Sequence, residues 1–330
     1  MPHFAAFEHN QTIQQAEQIL ENLDQLAAIE YDKNQAMEIT SQKDAALALL
    51  DLKMLNNFVS ICQNRIEDTP KSHAFSVHRQ ALEQIILDME LAMERSPIIH
   101  LTYMDIVMSN PTEDTRVFSA GEVGKSESAF YQGHLIIEEL LQNTIDSLKN
   151  AMTSSNKKSE HLQNAMSSLS EVFEMMKSFA MDLNKDHFTA FKPFLNSNPY
   201  TKEKGPSGAF SAKMPHIDVL IYGTQAPQDV VNYVKENKNY FPEDDFYDLE
   251  KSLNTNEGIL NLQEKGAFSE TEKNIIKDLG ELKLRFHKMH KATVKNKMGE
   301  NAHGTAEAGD AEQYLAERIK KYEAASRKLG

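Results

Sequence analysis

Residues 279–294, LGELKLRFHKMHKATV, place apolar side chains at three- and four-residue spacing. Leu282, Phe286 and Met289 recur along one face, and charged side chains separate them. This periodicity is typical of an amphipathic α-helix, which we predict to cover residues 270–296.

The same spacing recurs along most of the chain, and we find neither a convincing strand pattern nor an internal repeat. Only 13 glycines and 10 prolines are present, which favours helix over sheet. The sequence therefore predicts an all-α fold, in which Pro215 should break or kink its helix. Further helices are predicted at 12–29, 42–67, 73–94, 128–151, 156–183, 209–223, 227–237, 243–253 and 309–328, with a loop at 109–127 and a short helix before Pro193.

Composition and charge narrow the class of protein. The formal net charge of −14 repels phosphate backbones, so we expect no nucleic-acid partner. The single cysteine, Cys62, is typical of a reducing compartment. We see neither a signal peptide nor about 18 uninterrupted apolar residues, so we expect a cytoplasmic protein without a membrane span. A boundary near 95–110 would separate a smaller N-terminal helical region (1–100) from a larger helical domain (101–330).

Two histidines on the 270–296 helix are the first candidates for chemistry. His290 is adjacent to the apolar face, and His287 lies three residues before it. A histidine presented from an apolar helix can offer a neutral imidazole to heme iron in a dry pocket. From the residues alone, a core or surface histidine is the more common explanation.

Two glycine-containing loops lead into helices. The first, GPSGAFSAKMPHIDVLIYG (205–223), begins with small residues that let backbone approach a flat ligand, and its helix start offers free N–H groups. It lacks the Gly-Lys-Ser/Thr of a phosphate-binding loop. The second, HGTAEAGDAEQYL (303–315), is polar and enters the last helix. A plain connection is the alternative explanation for both.

Taken in order, these segments resemble the indoleamine 2,3-dioxygenase family. The family's small-residue loop and FDVLLG-type helix correspond to 205–223, and its YMP-like turn corresponds to 240–242. Its LRxxH-type ligand helix corresponds to LRFHKMHKATVKN, and its mobile GTGG loop to 303–306. With DLNKDHFTAFKPFL and AFYQGHLIIEELL upstream, the resemblance covers about 100–330.

The resemblance implies an indoleamine 2,3-dioxygenase-like helical fold that binds heme b, with a small aromatic substrate and O2 as partners, in a monomer or homodimer. His290 would be the iron ligand. His134 and Ser207 would be the distal catalytic residues, with His134 contacting or deprotonating an indole N–H or phenol O–H. The other implied contacts are His287, Arg285, Gly208 and Phe210 for the cofactor, and Phe130, Tyr131, Phe188, Lys192 and Thr305 for the substrate.

The chain departs from the family pattern at several positions. His287 stands where an Arg commonly holds a heme propionate, and Lys192 stands where an Arg pairs with the substrate carboxylate. Only Gly304 and Thr305 of the GTGG loop are kept. His134 replaces a Ser and is similar to the distal His of tryptophan 2,3-dioxygenase and of the heme-dependent aromatic hydroxylases. These departures favour a divergent branch, similar to the enzyme of pyrrolnitrin biosynthesis that rearranges a chlorinated tryptophan.

The leading hypothesis is a heme-dependent oxygenase for tryptophan or a related aromatic compound, acting by dioxygen insertion or ring rearrangement. Hydroxylation of a tyrosine-like ring, a heme sensor or carrier without turnover, and a heme-free helical interaction protein are the alternatives. Both enzymes and the heme sensor or carrier predict a Soret band. The oxygenase and the hydroxylase differ in their dependence on oxidant and in the mass of the product.

Overall fold

The computed structural model describes residues 42–65, 72–255, 257–298 and 311–329, and within these ranges every regular element is helical. The predicted all-α class is therefore confirmed, while the helix predicted at 12–29 lies outside the described residues. The α-helices are α1 Gln42–Arg65, α2 Ser72–Ala92, α3 Tyr103–Val107, α4 Gly121–Thr153, α5 Lys158–Asp182, α6 Lys185–Phe191, α7 Lys213–Tyr222, α8 Gln228–Glu236, α9 Glu243–Thr255, α10 Ile259–Glu264, α11 Glu270–Met298 and α12 Ala311–Ser326. Short 3-10 helices cover Lys192–Leu195, Gly208–Phe210, Gly223–Gln225 and Lys238–Tyr240.

The start of α4 differs from its prediction. The glycine- and serine-containing stretch up to residue 127 was predicted as loop, yet the helix begins at Gly121. The Glu127 carboxylate accepts the N–H groups of Phe118 and Ser119, at 2.9 and 3.0 Å, and so holds the chain that enters the helix. A β-carbon on Gly124 would lie 2.5 Å from the Ser119 carbonyl oxygen. Close tertiary packing therefore overrides the low helix propensity of glycine here.

Pro215 does not break its helix, contrary to the prediction. The α7 helix begins at Lys213, so Pro215 is its third residue. The first four N–H groups of a helix have no intrahelical acceptor, and proline therefore removes no hydrogen bond at this position.

The described chain divides into two compact units. The first contains the described residues up to Gln132 together with Asp186–Ser207. The second contains Gly133–Lys185 and most of the described residues from Gly208 onward, including all of α7 to α12. The regions 1–100 and 101–330 stay a prediction.

The first unit is built on the packing of α1 against α2, around Leu49 and Ile86. By length and composition alone, Lys43–Asn64 could cross a membrane, with a mean hydropathy of 1.4. This is weak evidence, because 56% of that window is buried within the protein and core helices pass the same test.

A buried charge cluster also holds the first unit together. Lys53 forms ion pairs with Glu90 and Asp105, and Arg95 contacts the same two carboxylates at 3.1 and 2.8 Å. Burial alone would raise the pKa of Asp105, but Lys53 and Arg95 hold it well below its usual range. The two carboxylates are thus compensated by two cations, as buried charges require.

The second unit has an apolar core of its own. Its α11 packs against α5 on one side and α12 on the other, and α7 is almost entirely buried. A β-carbon on Gly280 would lie 2.5 Å from a methyl group of Leu329. The glycine therefore permits the close approach of the C-terminal segment to α11.

Candidate functional site

The two histidines of α11 lie in different environments. His287 is buried, and its ring stacks on Tyr322 of α12 with centroids 4.2 Å apart and 11° between planes. Burial, followed by the charge of Arg318, lowers the pKa of His287 well below its usual value. This ring is therefore a neutral packing element between α11 and α12, which favours His290 over His287 as a ligand-binding residue.

His290 is only partly buried, and no hydrogen bond within the described ranges involves its ring. Desolvation lowers its pKa to about 4, and the charges of Arg318 and His134 add to this effect. The imidazole is consequently neutral at pH 7, on a residue that the protein buries only in part. A neutral imidazole is the form that binds a transition metal.

His134 lies in the same unit and presents its ring between an aromatic side chain and backbone. The ring stacks on Phe179 of α5, with centroids 5.2 Å apart and 20° between planes. A β-carbon added to Gly208 would lie 3.9 Å from both Cδ2 and Nε2 of His134. Because His134 also lowers the pKa of His290, the two histidines belong to one electrostatic environment.

Phe210 and Arg285, both predicted to contact the cofactor, are placed differently. Phe210 is buried, and its ring stacks on Tyr240 at 4.8 Å and on Tyr233 at 6.1 Å. Arg285 is exposed, with its guanidinium 5.9 Å from the Phe173 ring centroid. Phe210 is therefore part of the aromatic packing of the second unit. Arg285 places a positive charge on the surface of that unit.

The predicted substrate residues of the first unit form an aromatic group of their own. Phe130 packs on Phe188 at 5.6 Å, with Phe191 completing the group. The buried Tyr131 donates its hydroxyl to Glu127 at 2.7 Å, so this hydroxyl is already engaged.

Three further predicted positions have less defined surroundings. Lys192 is partly exposed and donates to the Asn196 side-chain oxygen at 2.9 Å, and burial lowers its pKa. Ser207 is partly exposed and belongs to the first unit. Thr305 lies outside the described residues. The roles of these three side chains stay predictions.

The sequence analysis missed a buried network next to His287. Asp218 of α7 forms an ion pair with Lys283 of α11 and accepts the Tyr322 hydroxyl, and all three side chains are fully buried. Lys283 also lies 4.9 Å from the Tyr322 ring centroid. The aspartate inside the apolar run HIDVLIY is the signal that could have revealed it, because a charge there needs a buried partner.

The residues of the second unit fit a heme ligand set. His290 provides a neutral imidazole without a hydrogen-bond partner in the described part of the chain, and Gly208 brings backbone beside His134. Among the described residues no group of three or more His, Cys, Asp and Glu side chains could hold a bare metal ion. A single histidine ligand is the donor set that a porphyrin-bound iron needs from the protein.

Comparison of the chain with models of known protein families gives no match, and no curated protein matches it. The assignment of function therefore depends on the residues themselves.

Proposed function

We propose that this protein is a heme-dependent oxygenase acting on tryptophan or a related indole or aromatic amino acid. It would belong to a divergent branch of the indoleamine and tryptophan 2,3-dioxygenase-like proteins and act in the cytoplasm as a monomer or homodimer. The observation that carries the proposal is the neutral imidazole of the partly buried His290, which interacts electrostatically with His134.

In this proposal His290 binds the iron of heme b, and the bound heme supplies the activation of O2. His134 contacts the aromatic substrate and accepts a proton from its ring N–H or O–H. Phe179 limits the motion of the His134 ring by stacking on it. The absence of a side chain at Gly208 lets the backbone approach the ring of His134 closely.

The resemblance also implies substrate contacts by Phe130, Phe188 and the ring of Tyr131, all of which lie in the first unit; the Tyr131 hydroxyl is held by Glu127. By the same resemblance Lys192 would pair with the substrate carboxylate, and Thr305 would contact the polar end of the substrate.

An absorption spectrum of the full chain, before and after addition of hemin, tests the proposal. We expect a Soret band that shifts when L-tryptophan, indole or L-tyrosine is titrated. His290→Ala should lose the histidine-ligated spectrum. His287→Phe is the matched control, since it keeps an aromatic ring against Tyr322 and should retain the band. A colourless protein that refuses hemin, or a normal spectrum in His290→Ala, would contradict the assignment.

Hydroxylation of a tyrosine-like ring is the second candidate. It is favoured by His134, a residue that can deprotonate a phenol. Product mass separates the two, because hydroxylation adds one oxygen atom to the substrate and dioxygenation adds two.

A further inference from the structure

Two polar side chains in the middle of α1 are completely enclosed by protein. Asn56 and Ser60 are both 0% exposed. Within the part of the chain that the structure describes, no hydrogen bond reaches the amide oxygen or nitrogen of Asn56, or the hydroxyl oxygen of Ser60. Burying an amide or a hydroxyl without a hydrogen bond is costly, and proteins provide a partner for nearly every such group. These three atoms therefore indicate a bound molecule that hydrogen-bonds to them.

The two side chains lie in the contact between α1 and α2, which is defined at both of its ends. At one end Lys53 forms an ion pair with Glu90 of α2. At the other end Arg79 of α2 donates its Nε–H to Oε1 of Gln63 at 3.0 Å. Positions 53, 56, 60 and 63 are three and four residues apart, so they share one face of α1. The two unpaired side chains therefore face α2 between these contacts.

The charges around this contact are already balanced, which decides the kind of molecule that fits. The buried charge cluster of the first unit combines two cations with two carboxylates. At the other end Arg79 forms an ion pair with Glu83, four residues away on α2. Asn56 and Ser60 are themselves uncharged. An ion bound between them would be buried without compensation, which is unfavourable, so the occupant is neutral.

We propose that Asn56 and Ser60 bind internal water between α1 and α2. The amide offers one donor group and one acceptor, and the hydroxyl offers both, so a molecule that donates and accepts hydrogen bonds suits them. Water is the smallest neutral molecule of this kind. Buried waters typically make about three hydrogen bonds to polar groups that otherwise lack a partner. The site lies in the first unit and needs neither heme nor substrate.

Apolar substitutions distinguish a water site from two side chains that bind nothing. Asn56→Leu keeps the approximate size of the side chain, and Ser60→Ala removes one hydroxyl. If water is bound, each single substitution leaves the water and the other side chain with an unmade hydrogen bond. Each should then raise the equilibrium constant of unfolding in urea by about 5- to 150-fold. The double variant removes both partners, so its effect should be smaller than the product of the two single effects.

Asn64→Leu is the matched control, because Asn64 is exposed on the same helix. It should change the equilibrium constant of unfolding by less than about threefold. Single variants that are more stable than the unchanged protein, with effects that multiply in the double variant, would overturn the proposal. That result would mean that each substitution had simply removed a polar group without a partner.

A crystal structure of the unchanged full chain identifies the occupant directly, and it decides the question if the single variants do not fold. We expect density for water at about 2.7–3.2 Å from the side-chain atoms of Asn56 and Ser60. The same density should be lost in Asn56→Leu/Ser60→Ala. Density of an ion or an organic molecule at this place, or no density at all, would overturn the proposal even where the variants are destabilised.

Discussion

Replacing Lys283 with methionine should strongly destabilise the second unit. Lys283 and Asp218 are both fully buried and form an ion pair, and the Tyr322 hydroxyl donates to the same carboxylate. Methionine has a similar length and stays in van der Waals contact with its neighbours. The substitution therefore removes the ammonium that forms the ion pair with Asp218 and leaves that carboxylate buried, with the Tyr322 hydroxyl as its hydrogen-bond donor.

The expected cost follows from the burial. Removing one partner of a buried ion pair typically costs about 3–5 kcal/mol, because the remaining charge is uncompensated. For a unit of this size a loss of about 1 kcal/mol lowers Tm by roughly 2–4 °C, so a fall of about 10 °C is expected. The double variant Lys283→Met/Asp218→Asn removes both charges and should recover most of that loss.

Thermal unfolding followed by circular dichroism measures the effect. Lys277→Met is the control, since Lys277 is exposed on the same helix and its replacement should change stability by less than about 0.5 kcal/mol. The reasoning fails if Lys283→Met unfolds within 2 °C of Lys277→Met, or if the double variant is no more stable than the single one. Either result would mean that Asp218 takes up a proton at no significant cost.

Two further predictions concern a buried histidine and two glycines. Burial and the charge of Lys149 lower the pKa of His216 to about 4. The unfolded chain, with a histidine pKa of about 6.5, therefore binds a proton that the folded chain does not, and stability falls as the pH falls from 6.5 toward 4. The loss of unfolding free energy is about 2 kcal/mol at pH 5. Urea unfolding at pH 5 and pH 7 measures it, and His216→Gln should reduce the difference between the two. An equal difference in the variant and the unchanged protein would contradict the assignment of this loss to His216. Gly133→Ala should lower the free energy of unfolding by about 1–3 kcal/mol, because the new β-carbon would lie 2.3 Å from Cζ of Phe179. Gly208→Ala is the comparison in thermal unfolding and should be tolerated, since its β-carbon would lie 3.9 Å from the nearest atoms. Equal stabilities of the two variants would show that the Phe179 ring moves aside freely.

Helix periodicity predicted most of the fold, and its errors have local causes. The α5 and α11 helices begin and end within about two residues of their predicted bounds, because their apolar faces are long and regular. The start of α4 was wrong because Glu127 organises the preceding turn from within the helix. Two short helices, α3 and α10, were missed because five or six residues give no clear periodicity.

The candidate site was only partly accessible to sequence reasoning. His290 was a candidate from its place beside an apolar helix face and His134 only from the resemblance, and the structure places them in the same unit with an electrostatic interaction. The ion pair between Lys213 and Glu138, four residues after His134 on α4, was not predicted, since its partners are 75 positions apart and nothing in the sequence pairs them. Pairing of buried charges depends on which helices pack together, and single-helix periodicity does not contain that information.

The rotation of α11 about its own axis determines where His290 points. Lys283 and His287 are four residues apart on one face, and Asp218 and Tyr322 hold that face through an ion pair and a ring stack. His290, three residues further on, is turned by about 60° from His287 around the helix axis. Because a helix is rigid over two turns, the buried pair that stabilises the second unit also orients the imidazole. Lys283→Met should therefore bind hemin more weakly even where it remains folded, and unchanged hemin affinity would show that apolar packing alone fixes the direction of His290.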